Sequence, residues 1–219
     1  MSDKEVMAYP ETGWGMPFKY YFNETVTVEN HARNGRSTRT FLEEGRWQPI
    51  VQNLEKGDYV FIQFAHNDEV KTKEQYTTPK AFKENLTKFV IETRQKEAQP
   101  ILLTPVARRH FDKEGHLIDT HKQYSQLIRE VAQKHDVPLI DMDMRSQVLL
   151  HKLGPEDSKF LYNYLEPGQN PHYPEGRSDD THFNEYGARR MAELVLHGIE
   201  DLELDLAQRI AYRRTLQNL

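Results

Sequence analysis

The stretch "DYVFIQFA" at Asp58–Ala65 is a nearly continuous apolar run that follows the turn pair Lys56-Gly57. A strand of this composition is covered on both faces, as in a parallel sheet. "QPILLTPV" at Gln99–Val106 is a second run of the same kind, and "VPLIDM" at Val137–Met142 is a shorter one. These runs predict the strands of a buried parallel sheet.

Other segments predict the remaining elements. "ETVTVENHA" at Glu24–Ala32 is rich in β-branched residues and predicts a further strand. Apolar residues recur at helical spacing in the segments between and after the strands. These segments are Thr38–Leu54 (two short helices), Thr78–Glu97, His121–His135, Asn184–Ile199 and Asp201–Leu216. Strands that alternate with helices indicate an α/β fold, a three-layer α/β/α sandwich.

Composition and charge narrow the class of protein. The 219 residues fit one domain, and the net charge of −5 with scattered basic residues argues against partners such as nucleic acid or anionic lipid. There are no cysteines, which excludes disulfides and thiolate chemistry. No stretch approaches the roughly 20 apolar residues of a membrane span, and "MSDKEV" at Met1–Val6 has no signal-peptide character. As it stands, the sequence predicts a soluble cytoplasmic protein; it leaves the oligomeric state open.

Polar residues follow the predicted strands, at the sheet edge where ligands bind in doubly wound folds. Gly35 lacks a Cβ and can bring its backbone N–H close to a developing oxyanion; the alternative is a turn glycine ahead of Ser37 as a helix cap. Asn67 can donate its side-chain N–H to the same oxyanion, or it can form an Asx turn. Arg108 follows the third strand.

The segment "SDDTHFNEYG" at Ser178–Gly187 places Asp179 three residues before His182. This spacing suits a base that is oriented by a carboxylate; the alternative is a surface aspartate beside a partly packed histidine. A long proline-rich loop is predicted from Gly154 to Asp180. Its His172, together with Arg108, can line a groove for a sugar, although local packing is the simpler explanation for either residue. Metal binding is not predicted, because the ten histidines are scattered and form no H-E-x-x-H motif.

Four blocks follow one another in an order that resembles the SGNH/GDSL hydrolases, and more narrowly their rhamnogalacturonan acetylesterase-like branch. They are "NHARNGRSTRTF" (Asn30–Phe41), "FAHND" (Phe64–Asp68), "LLTPVARRHF" (Leu102–Phe111) and "DDTHFNEYGARRMAELV" (Asp179–Val195). The resemblance spans about residues 12–200 and begins with "TGWG". It implies a flavodoxin-like sheet and a cofactor-independent ester hydrolase that deacetylates a pectic or related polysaccharide. It also implies that Gly35 and Asn67 donate to the oxyanion, that His182 is the base and that Asp179 orients it.

Two departures from the family pattern stand out. Ala65 occupies the position where the family has glycine, and the G-D-S block that carries the nucleophilic serine is absent from the 219 residues. We therefore expect residues 1–219 to be a single SGNH-like domain, truncated at the N-terminus, that lacks its first central strand between Glu24–Ala32 and Asp58–Ala65. No other serine is a convincing nucleophile, so the chain alone is expected to be inactive. The alternative is a non-catalytic carbohydrate-binding protein. The resemblance also favours a periplasmic or secreted location.

Overall fold

The computed structural model describes residues 1–211, which form two compact units: residues 33–155, and residues 1–32 with 156–211. The strands are β1 (Tyr59–Gln63), β2 (Gln99–Leu103), β3 (Leu139–Ile140), β4 (Tyr162–Leu165) and β5 (Arg177–Phe183). The helices are α1 (Gly15–Phe18), α2 (Thr38–Glu43), α3 (Trp47–Asn53), α4 (Pro79–Gln95), α5 (Lys122–Lys134), α6 (Met142–Asp157) and α7 (Glu185–Asp201). Short 3-10 helices cover Val6–Ala8, Lys19–Tyr21, Ser158–Leu161 and Asp205–Arg209.

The parallel sheet lies in the unit of residues 33–155, and it confirms the prediction from the three apolar runs. Its order is β1-β2-β3, with Tyr59 paired to Gln99 and Leu103 paired to Ile140. Residues 101–103 of the central strand are fully buried, as expected for a strand covered on both faces. Within residues 1–211, β1 forms an edge of this sheet.

Two amphipathic helices cover the sheet at the predicted positions. Thr78 caps α4 by accepting a hydrogen bond from the Ala81 N–H, and Pro79 occupies the first helical position, where its missing N–H costs nothing. The buried faces of both helices share one hydrophobic core with α2, α3, β1 and β2. Each large apolar side chain that is fully buried there contributes about 1.5–3 kcal/mol relative to exposure. The buried faces of the two helices include Phe82, Leu86, Phe89 and Val90 of α4, and Tyr124, Leu127, Ile128 and Val131 of α5.

The other unit contains an antiparallel pair, β4 and β5, where the sequence predicted a loop. The prediction of one loop from Gly154 to Asp180 is therefore wrong at both ends. The aromatic run Tyr162–Leu165 forms a strand because it finds a partner in β5, and the loop is confined to residues 166–176. Three of the four prolines, at positions 167, 171 and 174, lie inside this shorter loop.

The start of α7 is fixed by two residues of the "THFNEYG" motif. Asn184 accepts the Gly187 N–H at 2.9 Å, and its side-chain NH₂ donates to the Phe160 and Tyr162 carbonyls, each at 2.9 Å. At Gly187 a Cβ would come within 1.9 Å of the Leu161 carbonyl oxygen, so only glycine allows this approach. The motif thereby anchors the helix directly after His182.

Two predicted elements are absent. Glu24–Ala32 is not a strand: the side chain of Asn23 accepts the Thr25 N–H in a turn, and the segment has no ladder partner in the part of the chain that the structure describes. β-branched composition without a partner does not make a strand. The predicted helix at Asp201–Leu216 is also wrong up to residue 211, because Glu203 takes a left-handed φ of 50° and a 3-10 helix follows. Its remainder lies outside the described residues.

Across residues 1–211, no helix is both long enough and apolar enough to cross a lipid bilayer. The organisation of residues 1–219 as one truncated domain stays a prediction.

Candidate active site

Asp179 and His182 face each other in β5. The His182 Nδ1 lies 2.8 Å from the Asp179 Oδ2, and the backbone N–H groups of Thr181 and His182 donate to the Asp179 Oδ1 at 2.8 and 2.9 Å. In a regular strand, residues three apart point to opposite faces. Here the pairing with β4 jumps from Phe183 to Asp179, and this bulge lets the two side chains meet. The predicted pair is thus a hydrogen-bonded dyad.

The carboxylate of the dyad is ionised at neutral pH. Burial raises the pKa of Asp179, but the hydrogen bonds from the His182 ring, from the His182 N–H and from the Thr181 N–H outweigh it, so the pKa lies well below its usual range. An ionised acceptor at Nδ1 places the proton of the neutral imidazole on that nitrogen. Nε2 then keeps its lone pair, and the His182 side chain is 40% exposed, so it can accept a proton from outside.

Further charged side chains surround the dyad, and they are not predictable from local sequence patterns. Arg177 donates to the Asp179 Oδ2 through Nε at 3.1 Å and through Nη2, and Nη2 also reaches the Glu11 Oε2 at 3.2 Å. The same guanidinium donates through Nη1 to the Tyr173 hydroxyl at 2.6 Å. Lys4 donates to the Glu11 Oε1, which lies 3.9 Å from the His182 Nε2. The one local signal was an arginine two residues before Asp179.

Gly35 and Asn67 lie together in the unit of residues 33–155. Gly35 occupies an exposed turn with φ of 77°, and the Asn67 side-chain NH₂ donates to the carbonyl of the next residue, Arg36, at 3.1 Å. Ser37 caps α2 in a capping box with Thr40. The simpler interpretation of this stretch, a turn glycine ahead of a helix cap, is therefore observed. A role for either residue at an oxyanion stays a prediction.

Asp68 is the buried residue that joins this turn to the end of β1, and the sequence interpretation did not single it out. Its Oδ1 accepts the Thr38 N–H at 2.9 Å and the Thr38 hydroxyl at 2.6 Å, while its Oδ2 accepts the Ala65 N–H at 3.2 Å. Burial raises the pKa of Asp68, and these hydrogen bonds oppose the shift only in part. Ala65 has φ of 111°, in the region that favours glycine, which agrees with the glycine expected there from the family pattern.

The two predicted substrate-binding residues have local partners. Arg108 donates to the Glu69 Oε1 at 2.8 Å and to the His66 carbonyl at 3.2 Å, so it braces the loop after β1. His172 is half-buried in the loop of residues 166–176, where its N–H donates to the Asn170 side chain at 2.8 Å. Substrate binding by either residue stays a prediction.

Glu11, Asp179 and His182 bring one potential ligand atom each to within 4.8 Å of one another. The carboxylates of this set are already engaged by the cationic side chains of Lys4 and Arg177, which argues against a metal ion among them. The expectation of a site without metal or cofactor stays a prediction.

Two Bacillus subtilis (strain 168) proteins are close relatives of the chain. Rhamnogalacturonan acetylesterase RhgT is 42% identical over 205 residues, which cover 93% of this chain and 87% of that protein. A second protein, YesY, named as a probable rhamnogalacturonan acetylesterase, is 36% identical over 218 residues, covering 97% and 96%.

Solved structures show the same fold. The crystal structure of B. subtilis YxiM matches with a TM-score of 0.79 at 24% identity; the match covers 94% of this chain but only 55% of that one. The acetylxylan esterase Axe2 of Geobacillus stearothermophilus matches with a TM-score of 0.59 at 18% identity, covering 86% and 81%. These matches confirm the predicted α/β class with its mainly parallel sheet. Residues 9–190 match the model of the GDSL-like lipase/acylhydrolase family, to which this chain belongs.

Proposed function

We propose that the chain acts in a serine ester hydrolase that removes acetyl groups from rhamnogalacturonan or a related polysaccharide. The observation that carries the proposal is the Asp179–His182 dyad, with an ionised carboxylate at Nδ1 and an accessible Nε2. Acyl transfer through a serine nucleophile uses such a base. The names of the relatives RhgT and YesY support acetylated rhamnogalacturonan as the substrate. A polysaccharide substrate favours action outside the cytoplasm.

The proposed reaction is acyl transfer in two steps. A serine Oγ attacks the ester carbonyl while its proton passes to the His182 Nε2. His182 then gives this proton to the departing sugar oxygen, which leaves as a hydroxyl. In the second step water attacks the acyl-enzyme and gives a proton to His182. The bond between the acyl carbon and the serine Oγ then breaks, His182 returns the proton to Oγ, and acetate leaves. By the family pattern, the N–H groups of Gly35 and Asn67 hold the oxyanion in both steps. Asp179 keeps the imidazole oriented and stabilises its cationic form.

The nucleophile of this scheme is a serine in a G-D-S segment, which these 219 residues do not contain. Two buried serines of the chain already have structural tasks: Ser37 caps α2, and the Ser146 hydroxyl bonds with the Met142 carbonyl and the Ala107 N–H. β1 has no strand on its outer side among residues 1–211. We propose that a G-D-S strand added to the chain would pair along this edge of the sheet, where β1 offers unpaired ladder groups.

A second function is favoured by the absence of G-D-S from the sequence. The chain would then be a carbohydrate-binding protein that keeps the family fold and has lost hydrolysis. In that case, adding the missing serine would not be enough to create an esterase.

An ester assay separates the two proposals. Hydrolysis of p-nitrophenyl acetate is measured for the chain as it is, for the chain with an N-terminal G-D-S strand, and for the same extension with G-D-A. Activity confined to the G-D-S form supports the esterase. Equal rates for all three forms, together with glycan binding by the unextended chain, would support the binding protein.

A further inference from the structure

His182 lies between two carboxylates. Asp179 contacts Nδ1 at 2.8 Å, and the Glu11 Oε1 lies 3.9 Å from Nε2, on the side from which the base takes its proton. Both carboxylates are shielded from water: the side chain of Glu11 is 9% exposed and that of Asp179 is 13% exposed. Two negative charges in this position favour the protonated ring, which is the form that cannot act as a base.

Two cationic side chains form ion pairs with the carboxylates of Glu11 and Asp179. Arg177 spans the cluster, because one guanidinium reaches Asp179 and Glu11 and also donates to the Tyr173 hydroxyl. Lys4 contacts the other oxygen of Glu11. Asp180, next to Asp179 in sequence, is a further carboxylate near the dyad, and it accepts a hydrogen bond from the Tyr164 hydroxyl. The formal charge of Lys4, Glu11, Arg177 and Asp179 is therefore zero around a neutral His182.

We propose that Arg177 is a positioning residue: it holds both carboxylates that flank His182 and, with Lys4, balances their charge, so that the flanking charges do not favour the imidazolium form that cannot act as the base. The proposal rests on the proposed function for the role of His182. Arg177 acts through Glu11 and Asp179, the two carboxylates to which it donates. A lysine in its place would supply charge but could not reach both carboxylates with a planar fork.

The electrostatic sign of each change follows directly. Without Arg177 the cluster carries a charge of −1, which stabilises the imidazolium. Without the Glu11 charge the cluster carries +1, which disfavours it. In a site that is shielded from water, a charge within about 4–6 Å of a titratable group shifts the midpoint of its titration by about 1–3 pH units. Because His182 is 40% exposed, we expect shifts of about 0.5–1 unit.

The test is an NMR titration of the His182 ring in the 219-residue chain, which requires no catalysis. The midpoint should move to higher pH in Arg177→Met and to lower pH in Glu11→Gln. In the double variant it should return close to that of the unaltered chain, because the charge is again balanced. Arg177→Lys should recover part of the shift.

The matched control is Arg189→Met, which removes an exposed arginine on α7 that pairs with Glu185; it should leave the midpoint in place. General loosening of the site would move both single variants in the same direction, and that outcome, or unmoved midpoints, would overturn the proposal. An inactive G-D-S-extended chain with opposite shifts would instead count against the proposed function alone.

Discussion

The two groups of predicted site residues are built in different ways. In the base group, Asp179 is held by local partners, the guanidinium of Arg177 and two backbone N–H groups, while the distant Glu11 lies beside the His182 ring. The oxyanion group, Gly35 and Asn67, is assembled across more than 30 positions around the buried Asp68 and neutral donors. Burial and hydrogen bonding act on both carboxylates, with opposite outcomes: the pKa of Asp179 is lowered and that of Asp68 is raised.

This difference shows that Asp179 contributes a negative charge, whereas Asp68 contributes hydrogen-bond acceptors to the fold. Asp179 needs to be ionised, because its partners are an imidazole and a guanidinium. Asp68 is completely buried, and its hydrogen-bond donors among residues 1–211 include no cation, so it serves as an acceptor that joins two loops. The following predictions test this contrast, from the largest expected effect to the smallest.

His182→Ala in the G-D-S-extended chain should lower kcat for acetyl ester hydrolysis by about 10⁴-fold or more, because the base for both acyl-transfer steps is lost. Steady-state kinetics on p-nitrophenyl acetate measures the effect. His197→Ala, which changes a histidine of α7, is the control and should keep its activity. A loss under tenfold in His182→Ala would remove His182 from the mechanism.

Asn67→Ala in the same extended chain should lower kcat by about 10²–10³-fold, the usual cost of losing one oxyanion donor. Its free energy of unfolding should fall by only about 1 kcal/mol, from the lost hydrogen bond to Arg36. Kinetics and urea denaturation on one protein preparation give both numbers. If stability falls steeply while the activity of the folded fraction is unchanged, Asn67 serves the fold alone.

Asp68→Ala should lower the free energy of unfolding by about 3 kcal/mol, because the buried N–H groups of Thr38 and Ala65 lose their acceptor. Urea denaturation of the 219-residue chain checks this value. Glu84→Ala, at an exposed position of α4, is the control and should change stability by less than about 0.5 kcal/mol. Equal effects in the two variants would contradict the role given to Asp68.

Two isosteric variants, Asp179→Asn and Asp68→Asn, should change the pH dependence of the free energy of unfolding in opposite directions. The stabilising charge of Asp179 is present above its unfolded pKa of about 3.9 and is lost as the pH falls, so the advantage of the unaltered chain over Asp179→Asn should grow from pH 3 to pH 7. The raised pKa of Asp68 works the other way. The advantage over Asp68→Asn should shrink over the same interval.

Thermal unfolding of both variants and the unaltered chain across that pH range measures these differences, which we expect to reach about 1–2 kcal/mol. If the stability difference from the unaltered chain changed with pH in the same direction for Asp68→Asn and Asp179→Asn, the opposite pKa shifts assigned to the two carboxylates would be contradicted.

The sequence was sufficient for features that depend on local spacing or on long periodic patterns. The apolar runs of β1 and β2 and the stripes of α4 and α5 appear where they were predicted, because buried surface decides them. The Asp179–His182 pair was also predictable, since the two residues are only three positions apart and backbone N–H groups of this short segment bond to the Asp179 carboxylate.

Features that depend on distant partners escaped prediction. Glu11 lies 166 positions from Arg177, and no local sequence pattern predicts the contact between them. The prediction of a strand at Glu24–Ala32 was wrong for a related reason. The segment has the composition of a strand, but it has no partner strand among residues 1–211. β4 was overlooked since it is only four residues long and stands beside a proline-rich loop.

The central claim is that this chain provides the base and the oxyanion donors of a polysaccharide acetylesterase. The most direct test is acetate release from acetylated rhamnogalacturonan by the chain carrying a G-D-S strand, with the G-D-A form as the matched control. The account predicts steady acetate release from the G-D-S form and none above background from the G-D-A form. A well-folded G-D-S form that releases no acetate, or a G-D-A form that releases it equally fast, would contradict the account.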